Sequence, residues 1–62
     1  MSEFQQGDRV IANENAPFEA QIGQSGTVTD PDYIGHVMVC LDDEELRSQA
    51  LGCFLPEELE KQ

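Results

Sequence analysis

Short apolar runs, each cut by Gly, Pro, Asn or Asp, succeed one another along this chain, and that punctuation predicts strands and turns. Gly7-Asp8 opens a first strand, Arg9-Val10-Ile11-Ala12. Residues 13–24, with Asn15, Pro17 and Gly23, read as one long loop whose Phe18 and Ile22 fold back onto the body as a lid. Gly26-Thr27-Val28-Thr29 is a second strand, β-branched at three consecutive positions. Asp30-Pro31-Asp32-Tyr33 has the chemistry of a turn, because Pro presets φ at the second position and Asp side chains bond nearby backbone.

The third run, His36 to Leu41, has the clearest period. Val37, Val39 and Leu41 alternate with His36, Met38 and Cys40, so the first set should face the core and the second should not. Asp42, Asp43, Glu44 and Glu45 then form an acidic hairpin tip. A fourth strand follows from about Ser48 to Phe54, with two registers open: Ala50, Gly52 and Phe54 inward, or Leu51, Cys53 and Leu55 inward. Pro56-Glu57-Glu58-Leu59 makes one helical turn, since Pro suits a first helical position and acids favour a helix N-terminus. Leu59 docks on the body, and Glu58 to Lys61 supply a short fifth strand. The expected core is Val10, Val28, Val37, Val39, Leu41 and Leu59, with residues 1–6 as a flexible tail.

Five short strands with a helical turn before the last fit a small closed barrel, which removes the exposed edges a short chain tolerates badly. The fold class is all-β, a single five-stranded SH3-like barrel. The 62 residues allow one domain. A domain of this size buries only about 60% of its unfolded surface. Its core leaves roughly 3–5 kcal/mol of net stability. A deep desolvated active site is out of proportion to that; a shallow binding surface is not.

Charge narrows the reading further. Thirteen Asp and Glu stand against Arg9, Arg47 and Lys61, for a net charge of −10. Such a surface repels phosphate backbones, which argues against direct nucleic-acid binding. No segment has the apolar length of a membrane span, and the start has no basic-then-apolar signal, so the expected setting is cytoplasmic.

The order Phe4-x-x-Gly7-Asp8-Arg9-Val10, Gly23-x-x-Gly26-Thr27-Val28, Val37-x-Val39-x-Leu41 and Phe54-x-Pro56-Glu57-Glu58-Leu59 resembles small SH3-like barrels of the KOW and electron-transport-accessory type. That group includes the photosystem I PsaE subunit, the variable subunit of ferredoxin–thioredoxin reductase and the β subunit of nitrile hydratase. Short bacteriophage proteins are similar, and Gly52-Cys53 ahead of Glu58-Leu59 resembles the NifZ-type nitrogenase accessory proteins. The resemblance implies an SH3-like fold and a role as accessory subunit or adaptor. It departs from the ferredoxin-docking members in having almost no basic surface.

The candidate chemistry is sparse. Cys40 and Cys53 come face to face if the third and fourth strands pair about the acidic tip. They read most simply as buried, reduced thiols acting as small hydrophobes. A cytoplasmic setting disfavours a disulfide, and without Cys-x-x-Cys or clustered cations nothing activates a thiol. His36 with the two cysteines matches no zinc spacing. Asp30-x-Asp32-x-x-Gly35 starts like a calcium loop but has Ile34 and Leu41 where ligands are needed. No metal and no cofactor is expected, and no catalytic residue. The leading expectation is a non-catalytic module that binds a protein partner with a basic surface. Its contact residues would be Asp42, Asp43, Glu44 and Glu45 at the tip, and Asp30, Asp32 and Tyr33 at the preceding turn. The alternative is an acidic mimic of nucleic acid that blocks a DNA- or RNA-handling enzyme. That role needs carboxylates spread along one face at phosphate intervals.

Overall fold

A computed structural model describes residues 4–62. Five strands form one antiparallel sheet: β1 (Arg9–Ala12), β2 (Ser25–Tyr33), β3 (His36–Leu41), β4 (Cys53–Phe54) and β5 (Leu59–Lys61), in the order β4-β3-β2-β1-β5. β1 pairs on both sides, with β2 through Arg9↔Thr27 and with β5 through Ala12↔Leu59. The all-β expectation therefore holds. In hydrogen-bonding terms β4 and β5 are the two edges of the sheet.

The inward face follows the period-two pattern. Val37, Val39 and Leu41 of β3 are buried, as are Val10, Val28 and Leu59. Phe4, Ala12, Leu46 and Phe54 complete the cluster. Each fully buried aliphatic or aromatic side chain contributes about 1.5–3 kcal/mol of transfer free energy, offset in large part by chain entropy. Phe4 corrects the expectation of a tail over residues 1–6, because its ring is in the core; residues 1–3 lie outside the described residues. The Asp8 carboxylate accepts the Gln5 N–H at 3.0 Å, and the Gly7 N–H reaches the Val28 carbonyl at 2.8 Å, so the segment is bound down from Phe4 onward.

Residues 30–33 are not a turn. β2 runs on to Tyr33, and the reversal falls one step later, at Ile34 (φ 52°) and Gly35 (φ 80°), between the paired Tyr33 and His36. Two positive φ values in a two-residue connection make the type I′ geometry that matches strand twist. The register against β3 shifts between Val28 and Asp30 and again between Asp30 and Tyr33, each shift placing one extra residue on β2. Such bulges bend a strand and interrupt its ladder, which is where a strand tolerates a residue without an N–H such as Pro31. The Asp30 carboxylate takes the Asp32 N–H at 3.1 Å within that bend.

The acidic tip is likewise a helix in the structure. Asp43 caps α1 (Glu44–Ser48), its Oδ1 accepting the N–H groups of Glu45 at 2.9 Å and Leu46 at 3.2 Å. Ser48 to Ala50 end that helix instead of opening a strand. The Leu51 N–H bonds the Leu46 carbonyl and the Ala50 N–H bonds the Arg47 carbonyl, with Ala50 left-handed at φ 58°. This is the Schellman arrangement, here with Ala in the place usually taken by Gly. The fourth strand is thereby reduced to Cys53–Phe54, and its open register resolves with Phe54 inward and Cys53 and Leu55 exposed. A Cβ on Gly52 would collide with the Val39 carbonyl, so a glycine lets the chain cross β3 closely enough for the Val39 N–H to reach the Gly52 carbonyl at 2.7 Å.

The loop over residues 13–24 closes by a different device from the expected lid. Phe18 and Ile22 remain exposed, and the side chain that folds in is Gln21, 1% exposed. Its Nε2 donates to the Leu51 carbonyl at 2.6 Å and its Oε1 accepts the Phe18 N–H at 3.2 Å. A buried amide satisfied on both ends pins the loop more specifically than an apolar contact would. At the other end, Asn13 Nδ2 donates to the Glu57 carbonyl at 2.9 Å, tying the loop to the 3-10 turn Pro56–Glu58.

Candidate functional site

The seven residues singled out from sequence fall into two groups on the structure. Asp42, Asp43, Glu44 and Glu45 surround the start of α1; Asp30, Asp32 and Tyr33 line the distal end of the β2–β3 hairpin. Within the first group the carboxylates divide by role. Asp42 receives Arg9 in a two-pronged contact, Nη1 to Oδ1 at 3.0 Å and Nη2 to Oδ2 at 2.6 Å. The hydrogen bond from Arg9 holds the Asp42 carboxyl below its ordinary range, and the same bond raises Arg9. Asp43 is occupied by the helix N-terminus. Glu44 and Glu45 sit in the first helical turn, exposed, where the helix dipole favours negative charge. The four-acid run thus leaves two carboxylates facing outward from the helix start, not a row of four.

The cations are mostly occupied as well. Arg9 faces Asp42, and the Lys61 ammonium lies 3.7 Å from the Asp8 carboxylate. Arg47 alone makes no ion pair among the described residues. It borders a shallow groove of about 330 Å³ on the outer face of β3, with Thr29, Met38, Cys40, Ala50 and Gly52. The groove is mainly apolar and includes one thiol, that of Cys40.

The cysteines differ from expectation in burial and in placement. Both are exposed and free. Cys53 lies opposite Met38 and Cys40 opposite Thr27, which puts the thiols on diagonal positions and not face to face. The fourth strand, expected from about Ser48, begins only at Cys53, because α1 and its closing turn take up the residues before it. His36 stands at the hairpin end, its Nδ1 3.2 Å from the Ile34 carbonyl. No group of three His, Cys, Asp or Glu side chains converges as a metal site among the described residues. No helix among them is long and apolar enough to cross a membrane.

The hairpin end holds the residue that sequence reasoning missed. Ile34 is 83% exposed and Tyr33 beside it 52%. Ile34 sits between Tyr33 and Gly35 in what reads from sequence as a turn, where an isolated apolar residue carries no periodic signal. The available signal was the Gly that follows it, which marks a two-residue hairpin whose first position ordinarily goes to Asn, Asp or Gly. Against known proteins, no family model matches the sequence, and no curated protein and no solved structure matches it either.

Proposed function

We propose that this chain is a non-catalytic accessory or adaptor module that binds one protein partner bearing a basic surface. The observation that carries the reading is the fate of its few cations: two of three are met by the chain's own Asp42 and Asp8, so the field that reaches solvent is that of a −10 body. Such a field speeds encounter with a positive partner and repels nucleic acid and anionic lipid. The outward carboxylates of Glu44, Glu45 and Asp32 are the contact groups, with Asp42 and Asp43 as supports that hold the helix start in place. Two features support an SH3-like barrel as the scaffold: β1 pairs with both β2 and β5, and a 3-10 turn precedes the last strand. The division of labour within Asp42–Glu45 speaks against the nucleic-acid mimic, which needs an extended row of free carboxylates.

The test is to capture the partner with immobilised protein at low salt, purify it, and follow binding at ~50 and ~300 mM salt, where screening shortens the reach of exposed charge. Affinity should fall with salt chiefly through the on-rate. An affinity insensitive to salt overturns the electrostatic reading.

A further inference from the structure

The tip of the β2–β3 hairpin breaks two local rules at once. Ile34 adopts φ 52°, in the left-handed region where a β-branched side chain is an outlier. It also exposes 83% of its surface and lies outside the core cluster, so the strain is not offset by burial. Asn or Gly would serve the type I′ turn better. A residue that costs the fold on both counts, in a chain with so little stability to spare, points to a use outside the fold.

The surroundings say what that use is. Residues 32–36 form a continuous exposed run, with Tyr33 directly opposite His36. The tip is braced: the Asp30 carboxylate holds the Asp32 N–H, and the His36 ring holds the Ile34 carbonyl. Ordering a contact loop before binding reduces the entropy lost on association. Tyr and a neighbouring aliphatic side chain are good anchors, and Asp32 stands next to them, exposed. We infer that Tyr33 and Ile34 are the apolar anchor of the partner-binding surface, inserting into a small apolar pocket of a protein whose rim carries Lys or Arg opposite Asp32 and Asp30. The occupant is set by charge: a second copy of this chain would bring another −10 against the same acidic rim, whereas a basic rim complements it. This inference rests on the partner-binding reading above and names the part of the surface that anchors it.

The experiment compares wild type with Ile34→Asn and with the pair Glu44→Gln/Glu45→Gln, using as probe the purified protein that wild type captures. Ile34→Asn should raise Tm by about 4 °C or more, since it relieves the turn and removes no buried contact. The same variant should weaken binding at least 10-fold, in the off-rate, with the salt slope unchanged. The Glu44/Glu45 pair should instead reduce the salt slope. A lowered Tm for Ile34→Asn overturns the inference, because the side chain would then serve the fold. Wild-type affinity in Ile34→Asn overturns it while leaving the adaptor reading in place. Failure to capture any protein overturns both. Sedimentation showing a wild-type dimer that Ile34→Asn dissolves makes a second copy the occupant and overturns the charge argument.

Discussion

The Arg9 guanidinium of β1 reaches across β2 to the Asp42 carboxylate at the end of β3, donating to Thr27 Oγ1 at 2.9 Å on the way. Three strands are tied by one exposed side chain, at a point where Asp42 would otherwise be one acid among four. The fork of the guanidinium matches both carboxylate oxygens, the geometry in which an exposed pair is most specific.

Asp42→Asn should therefore destabilise the fold at neutral pH, and the difference from wild type should depend on pH in one direction. The Asp42 carboxyl is lowered in the folded chain by the hydrogen bond from Arg9. A lowered folded pKa gives stability that is fully present above the unfolded value of about 3.9 and is lost as pH falls through the folded value. Urea midpoints should differ by a constant amount above pH ~5 and converge in the acid limb. A difference that persists undiminished to the lowest pH would show that the pair acts by shape alone.

Asp43→Ala should cost about 0.5–2 kcal/mol, because two N–H groups of α1 lose their acceptor. Glu44→Gln and Glu45→Gln should each stay within about 0.5 kcal/mol, since both side chains are exposed and their favourable dipole interaction is offset by repulsion within the acidic run. Chemical denaturation of the three variants checks this. Equal losses at all three positions would mean the helix cap is not what Asp43 contributes.

The two ends of the α1–β4 connection respond oppositely to a single methyl. Ala50→Gly should stabilise by up to about 1 kcal/mol, because φ 58° strains a Cβ by more than glycine's added unfolded-state entropy. Gly52→Ala should destabilise by about 1–3 kcal/mol, since its Cβ would meet the Val39 carbonyl, a backbone atom that cannot move without disturbing β3. Thermal melts of both variants read the pair directly.

Cys40 and Cys53 should both react with a thiol reagent in the native state, as both are exposed and free. Replacing both with Ser should change stability by no more than about 0.5 kcal/mol. Titration of native protein with Ellman's reagent, before and after denaturation, checks the first; protection of either thiol until unfolding would contradict it.

Much of the fold was legible because it rests on local rules. The alternation of Val37, Val39 and Leu41 needs only the period of a strand, and it is what the structure buries. Pro56 followed by two acids needs only the preferences of a helical first turn, and the 3-10 turn stands there. The candidate site was legible as a composition of charge, through the run Asp42–Glu45 and the pair Asp30 and Asp32.

What each acid does was decided by tertiary structure. Asp42 and Glu45 are alike as sequence symbols, yet one is held by a guanidinium delivered from a strand 33 positions earlier and the other faces water. The same holds for the loop over 13–24: polarity selected Phe18 and Ile22 as the side chains to fold back, but a carbonyl left free at Leu51 selected Gln21. The reversal at Ile34 and Gly35 depended on two extra residues in β2, visible only against the register of β3. Hydrophobic period and turn chemistry act between near neighbours, so the amino-acid order by itself determined β1, β3 and the short β5, the inward face of β3 and the sign of the surface. Pairing register, close approach and charge neutralisation act between residues far apart in the chain, and only the packed sheet brought those together.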